Sequence, residues 1–599
     1  MLCCHVMAMN APYPRETLRF AHFELDTAAY ELRRKGRPIR LERQPMDLLI
    51  LLVTRRGELV TRDEIIATLW GDGIFVDVET GVNTAVRKIR QALNDSSDDP
   101  AFIETVTGKG YRFVASVEAK HSPGGCETTI MVAVLPFVNL SGDPSHEYLA
   151  DGLTEDMIAL LSQLDRQRLR VIGRRSVMSY NCSPKPLATI GTELNVEFIV
   201  EGSIRNLGDR WQIRCTLNRA SDQVQLWSHS YHLGLVSIVA LQREVAFAIS
   251  EQVQLHLSPE RLESVARRHS VDTAAYDLYL RGRRFWNQLT PATTRLAIEY
   301  YNRATDIDHD YALAWAGLAE AFASAPINGD ADPRDMWPRA RDAAEIAIRA
   351  NPSLSEAQHV SGQVQWFFDW DFSAAETAFR KAVALDPSNA WAHTMLSHAV
   401  SQMGRHKEAR LLMEGAFLLE PLSPLHQAIW SQVSFQARDH EHAAERARRA
   451  IVIDPEFWVS YMMLGQASEQ LGETDIALDA LTTATRLSGG NSKPVGLRGY
   501  ILAKIGQIRP AREMLIMLDE LSRTRYVPPY APALIYAGLQ EDQKVFEALE
   551  HAYASRDVHL VFLPVDPKWD RFRAQPRFEV LLQQCGFETN ANRKPAATD

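Results

Sequence analysis

The sequence predicts a multidomain α+β protein in which three kinds of structure follow one another. An amphipathic helix and a glycine-turned hairpin lie near the amino end, between Val78 and Phe113. Strand and helix patterns then alternate through residues 129–260, and alanines recur at a regular spacing beyond residue 272. We therefore expect a small α+β domain, a layered α/β domain and an all-α repeat array, in that order.

Short strands and two helices are expected before the amphipathic helix. Leu18–Asp26 alternates between apolar and polar residues, and Glu31–Leu41 carries a second strand pair around Gly36. Thr61 followed by Glu64 is the pattern of a capping box, which starts a second helix. The apolar stripe of a first helix consists of Met46, Leu48, Leu49, Leu52 and Val53.

The helix from Val78 to Leu93 has two different faces. Its apolar residues recur at three- and four-residue steps: Val82, Ala85, Val86, Ile89, Ala92 and Leu93. The other side carries donors that suit phosphates and base edges: Asn83, Thr84, Arg87, Lys88, Arg90 and Gln91. This face predicts DNA binding. The alternative is a solvated basic face on an ordinary amphipathic helix.

A hairpin follows that helix and favours the DNA-binding interpretation. Gly108-Lys109-Gly110 forms the turn between Phe102–Val106 and Tyr111–Val114. Glycines let a hairpin tip lie close to a phosphate backbone. The hairpin residues that we expect to contact DNA are Thr107, Lys109, Tyr111 and Arg112.

Helix and hairpin together resemble the winged helix-turn-helix of OmpR/PhoB-type transcription regulators. The similarity rests on Arg87-Lys88-Ile89-Arg90-Gln91-Ala92-Leu93 and on Gly108-Lys109-Gly110-Tyr111-Arg112, and it defines a domain over residues 16–119. The resemblance implies that double-stranded promoter DNA is the partner, in a bacterial family that commonly serves phosphorelays. It also implies that the loop before the helix contacts RNA polymerase, through Asp72, Phe75 and Asp77. A plain connector is the alternative for that loop.

A glycine- and proline-containing linker, residues 120–128, leads to the α/β segment over residues 129–260. This segment resembles the TolB amino-terminal-like domain, on Val134-Leu135-Pro136-Phe137, Asp151-Gly152-Leu153-Thr154-Glu155, Val200-Glu201-Gly202-Ser203-Ile204-Arg205 and Leu226-Trp227-Ser228. Such a domain binds a small molecule or a protein. The polar residues that would serve a pocket are Asp151, Arg174, Arg175 and Glu201, with helix capping and surface salt bridges as the alternative roles.

The chain from 272 to 585 is predicted to be a tetratricopeptide solenoid with a terminal cap. One series of alanines has steps of 43, 35, 34, 34 and 34 residues: Ala297, Ala340, Ala375, Ala409, Ala443 and Ala477. A second series follows seven residues behind: Ala304, Ala347, Ala382, Ala416, Ala450 and Ala484. A 34-residue period with small residues at helix crossings is the tetratricopeptide signature. Leu518 interrupts the second series, which predicts that the array decays after Leu515.

The concave face of this array is a candidate groove for a protein or peptide partner. Five tryptophans are expected in the array: Trp315, Trp366, Trp391, Trp430 and Trp458. We interpret them as packing between helices in preference to a ligand cage.

Composition and motifs favour a binding protein without chemistry of its own. The chain has 46% hydrophobic and 23% charged residues and a net charge of −10, which a local basic patch on one domain can accommodate. We find no Walker loop, HExxH or GxSxG motif, and no His or Cys cluster with metal-ligand spacing. No catalytic residue, metal or cofactor is therefore expected, and the protein is predicted not to be an enzyme.

Scattered cysteines and the absence of an 18-residue apolar run predict a cytoplasmic protein with no membrane segment. The layout resembles ToxR/CadC-type regulators without their transmembrane helix. The leading hypothesis is a one-component transcription regulator whose winged helix binds promoter DNA while the other parts sense a signal or bind a partner. A homodimer is plausible, because one winged helix covers little DNA. The alternatives are an interaction scaffold whose winged helix does not bind DNA, and a small-molecule receptor that acts through the middle domain.

Overall fold

The computed structural model divides the chain into two compact units, residues 1–127 and 128–599. The structure describes residues 17–26, 31–34, 37–39, 41–55, 57–70, 78–97, 100–115, 117–119, 129–165, 168–181, 183–208, 210–233, 238–253, 272–288, 290–327 and 331–587. The predicted fold class is confirmed: a winged-helix part with strands, a middle sheet and a long helical region follow one another. The predicted boundaries at 129–260 and 272–585 stay predictions, since both stretches lie within the second unit.

The amino-terminal unit begins with a sheet of antiparallel strands in the order β4-β3-β2-β1-β8. Its strands are β1 (Thr17–Phe20), β2 (Phe23–Asp26), β3 (Glu31–Arg34), β4 (Arg37–Ile39) and β8 (Glu118–Ala119). The alternating pattern read from the sequence is confirmed, because Leu18, Phe20, Phe23 and Leu25 are all buried. This sheet therefore closes one side of the unit's apolar core.

Three helices and a second sheet complete the unit. The helices are α1 (Arg43–Thr54), α2 (Arg62–Trp70) and α3 (Val78–Leu93). The strands β5 (Leu59–Thr61), β6 (Ile103–Val106) and β7 (Gly110–Phe113) form a sheet in the order β5-β7-β6. The stripe of α1 and the apolar face of α3 share one core with Phe113, whose ring packs edge-on against Phe20 at 5.0 Å. The hairpin is thus fixed to the helices by buried contacts.

The predicted capping box at the start of α2 is present. Thr61 N–H donates to Oε2 of Glu64 at 2.8 Å, and Glu64 N–H donates back to Oγ1 of Thr61 at 3.3 Å. Together with Arg55, these hydrogen bonds hold the pKa of Glu64 at about 2. The helix start is therefore set by the residues from which it was predicted.

The second unit begins with a mixed sheet. Its strands are β9 (Ile130–Val134), β10 (Val138–Asn139), β11 (Leu169–Val171), β12 (Phe198–Asn206), β13 (Trp211–Arg219) and β14 (Gln225–Leu233). The order is β11-β9-β12-β13-β14, with β10 beside β12. Strands β11, β9 and β12 are parallel, whereas β12, β13 and β14 form an antiparallel meander. Strands β12 and β13 are joined by a hairpin turn that contains Gly208.

Four helices accompany this sheet: α4 (Glu147–Leu164), α5 (Arg174–Val177), α6 (Leu187–Leu194) and α7 (Ile238–Gln252). Residues 254–257, which follow α7, lie outside the described part of the chain. Helix α4 packs against the first helix of the repeat region. A Cβ on Gly152 would lie 2.6 Å from Leu280, so glycine permits this close approach.

The described helical region contains eight antiparallel helix pairs, numbered pair 1 to pair 8 in chain order. They are Thr273–Trp286 with Pro291–Ile307, Ala312–Ile327 with Pro333–Ala350, Ser355–Val364 with Phe372–Leu385, Ala390–Gln402 with His406–Leu419, Pro424–Gln436 with His440–Ile453, Trp458–Gln470 with Thr474–Leu487, Ser492–Lys504 with Ile508–Ser522, and Tyr530–Gly538 with Asp542–Ala554. A π-helical turn, Gln365–Asp369, ends the first helix of pair 3. We call residues 555–587 the cap. It contains 3-10 turns at Val558–Phe562 and Pro567–Phe572 and a helix at Pro576–Gln584.

Both alanine series lie on the second helices of pairs 1 to 6, and every member is fully buried. The prediction that the array decays after Leu515 was wrong, because pairs 7 and 8 continue the pattern. Leu518 is itself 3% exposed and occupies the place of the alanine. A crossing that accommodates a larger side chain still permits the pair to form.

Candidate functional site

Helix α3 presents a polar face on the surface of the amino-terminal unit. Asn83, Arg87 and Gln91 are exposed, and Thr84 is half-buried. The predicted apolar positions of α3 are buried or half-buried. Neither Arg87 nor Gln91 has a side-chain hydrogen bond or ion pair within the described residues. These two side chains are therefore available to a ligand.

The hairpin tip next to α3 is built on two glycines. Gly108 has a φ of +73°, which side-chain-bearing residues rarely adopt. A Cβ on Gly110 would lie 2.1 Å from the carbonyl oxygen of Val60, so a larger residue would separate β7 from β5. Thr107 and Lys109 are exposed at this tip, and the described residues give the Lys109 ammonium no partner. The tip thus presents a cation on a rigid turn.

A hydrogen-bond network joins the hairpin to α3. The Tyr111 phenol donates to Oδ1 of Asn83 at 2.9 Å, and the Arg62 guanidinium donates to both residues at 3.2 Å. Arg62 also lies over the Tyr111 ring, 5.5 Å from its centre. Tyr111 is 3% exposed, so its side chain is buried and holds the hairpin against α3. Sequence reasoning missed Arg62, whose partners lie 21 and 49 residues away.

Three other predicted cations are tied to the protein. The Arg90 guanidinium donates to the Ile103 carbonyl at 2.8 Å and to Thr105 at 2.9 Å, which anchors it to β6. Lys88 pairs with Glu42 at 2.6 Å, and Arg112 pairs with Glu104 at 3.1 Å. These two pairs are substantially exposed, and such pairs contribute little to stability. An incoming phosphate can therefore replace their carboxylate partners at small cost.

Asp95 fixes the loop that leads from α3 to the hairpin. Its carboxylate accepts backbone N–H groups from Ala101, Phe102 and Ile103 at 2.8, 3.2 and 2.8 Å. A shallow cleft lies between α3 and the hairpin. It is lined by Arg62, Asn83, Val86, Arg87, Arg90, Gln91, Asp95, Ser97, Thr105 and Tyr111. The structure thus brings five of the predicted residues into one cleft, with Lys109 and Thr107 at the exposed tip.

The loop predicted to touch RNA polymerase, with Asp72, Phe75 and Asp77, lies outside the described residues. Within the part of the chain that the structure describes, no group of three or more His, Cys, Asp or Glu side chains is arranged to hold a metal ion. No helix there is long and apolar enough to cross a membrane. The described cysteines, Cys215 and Cys585, are buried free thiols, and burial raises the pKa of each to about 12.

The polar residues singled out in the middle segment separate into different roles. Arg174 pairs with the buried Glu155 at 2.5 Å, and Glu155 also pairs with Arg283 of pair 1. Glu201 accepts a hydrogen bond from Asn218 at 2.8 Å, and burial raises the pKa of its carboxyl group. Burial likewise raises the pKa of Asp151, and Arg174 opposes that shift. Glu155 and its arginines thus hold the sheet region on the helical array, whereas Arg175 faces a cavity.

Comparison with known proteins defines the class of the amino-terminal unit. Residues 36–113 match the family described as "Transcriptional regulatory protein, C terminal". This stretch contains α1, α2, α3 and the hairpin, and it is a winged-helix domain of the OmpR/PhoB type. Below, α3 is called the recognition helix and the hairpin β6–β7 the wing.

The chain is similar to proteins named as transcription regulators and to one named as a putative enzyme. The chain is 21% identical over 398 residues to "Transcriptional regulator HilA" of Salmonella typhimurium, which covers 65% of this chain and 68% of that protein. It is 35% identical over 188 residues to "Putative adenylate cyclase 3" of Rhizobium meliloti. That match covers 31% of this chain, and it spans only 32% of the relative's length. Among solved structures, the DNA-binding domain of E. coli CadC is 26% identical, covers 18% of this chain and 97% of that chain, and has a TM-score of 0.16.

Proposed function

We propose that this protein is a one-component transcription regulator that binds promoter DNA through its winged helix. The observation that carries the proposal is the shared surface of the recognition helix and the wing, where Arg87, Gln91 and Lys109 are exposed and have no side-chain partner among the described residues. A major groove admits a helix of this kind, and the wing would then lie along the neighbouring backbone. Relatives named as transcription regulators support the same conclusion.

Residue roles follow from the contacts of each side chain. Arg87, Gln91 and Thr84 are placed to read base edges or grip phosphates, and Lys109 and Thr107 to contact the backbone at the wing. Asn83, Tyr111 and Arg90 would position the helix relative to the wing. The same role extends to Arg62, which binds Asn83 and Tyr111. Lys88 and Arg112 would exchange their exposed carboxylate partners for phosphates.

The second unit is proposed to receive the signal. Its sheet region, which resembles a TolB amino-terminal-like domain, and its helix pairs form one compact unit. A change in either part would therefore be transmitted to the other. Polymerase contact through Asp72, Phe75 and Asp77, a cytoplasmic location and dimerisation on DNA belong to the same proposal. The relative named as a putative adenylate cyclase does not change it, since we propose binding and no catalysis for this chain.

The test is a DNA titration of the full chain and of the separate unit 1–127. DNA from the region upstream of the protein's own gene is compared with scrambled DNA across a salt series. We expect tighter binding to the upstream DNA, with affinity that falls linearly with the logarithm of salt concentration. Equal binding to both DNAs would support DNA binding by this protein but reject the upstream region as its specific target. No binding at low salt by either protein would reject the proposal.

A further inference from the structure

The inner face of the helical array encloses a cavity of about 240 Å³. The inner helices of the pairs line one side, and residues of the cap, including Val558 and Phe562, line the other. Most of its surface is apolar, with contributions from Phe367, Met395, Ile429, Trp458, Met462 and Leu497. Trp391 and Trp458 both line it, whereas Trp366 and Trp430 are buried in packing between helices. Two of the tryptophans that we interpreted as packing between helices therefore line a cavity.

Residues of the cap and of pair 8 contact pair 3. Arg556 donates a hydrogen bond to the carbonyl of Phe368 at 3.1 Å, and the Trp370 ring stacks on Tyr553 at 5.3 Å. Phe372 stacks on Phe587 at 4.4 Å. These contacts join pair 3 to pair 8 and the cap.

Arg175, which carries a guanidinium and comes from α5 of the sheet region, is one of the residues that line the cavity. Its described side-chain contact is with the Trp286 ring, 5.9 Å from the ring centre. No carboxylate in the described part of the chain lies within ion-pair distance of that guanidinium, and no hydrogen bond satisfies it. Burial lowers the pKa of Arg175, while Glu420 opposes that effect. Arg175 is half-buried, and a partly desolvated cation without a direct counter-ion is stabilised when a ligand supplies one.

Two acidic side chains, Glu420 and Glu320, interact electrostatically with Arg175 without forming an ion pair among the described residues. Burial raises the pKa of Glu320 to about 7, and burial also raises the pKa of Glu420. Two polar atoms of lining residues are also free to form hydrogen bonds with a ligand. Oε1 of Gln363 and Oγ of Ser492 belong to lining residues and have no hydrogen-bond partner. A carboxylate is the group that a planar guanidinium binds best, through two parallel hydrogen bonds.

We propose that this cavity binds a small molecule with an apolar body and a single carboxylate, and that Arg175 pairs with the carboxylate. A cavity of about 150 Å³ holds benzene, so a space of about 240 Å³ suits a substituted aromatic ring or a short acyl chain. This inference rests on the proposed function, because it identifies the chemical class of the signal that the regulator would read.

Arg175 also places the ligand where two parts of the unit meet. Gly173 N–H donates to the Leu419 carbonyl at 2.8 Å, and Arg175 N–H donates to Oε1 of Glu420 at 3.1 Å. Leu422 N–H donates to Oγ of Ser176 at 3.0 Å. The segment 173–176 is thereby docked on the turn between pairs 4 and 5. A ligand on Arg175 would stabilise this docking, so binding would couple the sheet region to the array.

The test is calorimetric titration of the full chain, without DNA, with 4-phenylbutanoate and with its neutral amide. We expect saturable one-to-one binding of the carboxylate, about tenfold tighter than that of the amide. Arg175→Met should remove the preference, and Arg175→Lys should retain part of it because the charge remains without the planar fork. Arg509→Met is the matched control, since the Arg509 side chain is 92% exposed, and it should bind as the wild type does.

A second variant keeps the test independent of any loss of folding at Arg175. Ser324→Phe places a ring in the cavity and should weaken both probes about tenfold or more, while circular dichroism confirms the fold. The proposal would be overturned if neither probe bound, if both bound equally, or if Arg175→Met left the preference intact. Binding of an acetylated and amidated extended octapeptide, with none of the carboxylate, would assign the cavity to peptides. None of these outcomes bears on DNA binding, which the separate titration measures.

Discussion

The phenol of Tyr111 on the wing donates a hydrogen bond of 2.9 Å to Oδ1 of Asn83 on the recognition helix. Arg62 donates to both residues from the first turn of α2. Helix, wing and α2 are therefore held in one arrangement before any DNA arrives. Such preorganisation reduces the entropy that binding must overcome.

Tyr111→Phe removes the hydroxyl, and with it the hydrogen bonds to Asn83 and from Arg62, while it keeps the buried ring. We expect a loss of about 1–3 kcal/mol from the stability of the amino-terminal unit, since each hydrogen bond usually contributes about 0.5–1.5 kcal/mol. Hydrogen–deuterium exchange should show faster opening of α3 and the wing. Tyr461→Phe is the control, because it removes a 3.0 Å hydrogen bond to Pro455 in the other unit. If α3 exchanged equally in both variants, the network would not stabilise the site.

Gly173→Ala tests the docking of the sheet region on the array. A Cβ at Gly173 would lie 2.2 Å from Oε1 of Glu420, a buried side chain that has little room to move. We expect a destabilisation of about 1–3 kcal/mol, measured by denaturant unfolding of the second unit in the full chain. Gly415→Ala is the matched control, since its nearest neighbour would be 4.0 Å away. It should be neutral or slightly stabilising, as is usual inside a helix. Equal effects would contradict the docking.

Ala443→Leu tests the helix crossings of the array. Ala443 is fully buried, and its carbonyl accepts a hydrogen bond from Ser431 at 2.7 Å, which draws the two helices of pair 5 together. A larger side chain should force them apart and cost about 1–3 kcal/mol. Val452→Leu on the same helix should change the unfolding free energy little, because Val452 is 82% exposed. If neither variant changed the unfolding midpoint, the helix crossing at Ala443 would accommodate a larger side chain, as the crossing at Leu518 does.

Glu320→Gln tests the titration of a carboxyl group beside the cavity. Burial raises the pKa of Glu320 to about 7. The hydrogen bond from Trp391 and the charge of Arg175 lower this pKa and oppose the effect of burial. Glu356 also raises this pKa, and His359 lies 4.0 Å away. A carboxyl whose folded pKa is raised favours folding below its unfolded pKa, and that contribution is lost as pH rises through the folded pKa. The wild type should therefore lose stability relative to the variant between pH ~4.5 and ~7, by at most about 3 kcal/mol.

The measurement for Glu320 is the difference between the unfolding free energies of the two proteins at several pH values. Using the difference removes the contribution of histidines distant from Glu320, such as His398, whose pKa burial lowers to about 4. A difference that stayed constant from pH 4 to 8 would show that Glu320 titrates outside this range.

Local patterns predicted the elements, whereas contacts between distant residues could not be predicted from one sequence. The spacing of Val82, Val86 and Ile89 placed the buried face of α3, because helical periodicity is a property of neighbouring residues. The capping box at Thr61 and Glu64 followed for the same reason. The partners of Arg62 were not predictable, since the chain must fold before they meet it.

The helical region shows the same division between local and distant information. The 34-residue alanine spacing predicted the pairs, but Leu518 suggested an early end that the structure does not have. The cavity is lined by residues of the cap as well as of the helix pairs, and by Arg175 from another part of the unit. No spacing in the sequence records those contacts. Arg175 was noted as a polar residue for a pocket in the middle segment, and the structure places it in the cavity of the array.

The most direct test of DNA binding through α3 is the salt dependence of DNA affinity for Arg87→Ala. Wild type, this variant and Arg19→Ala are titrated with the same upstream DNA over a range of salt concentrations. Arg19 lies in the amino-terminal sheet and pairs with Glu24, so it serves as the matched arginine control. We predict that Arg87→Ala weakens binding by about 1–3 kcal/mol and, if Arg87 contacts a phosphate, lowers the salt slope by about one unit, while Arg19→Ala changes neither. An unchanged affinity and slope for Arg87→Ala would contradict the placement of α3 on DNA.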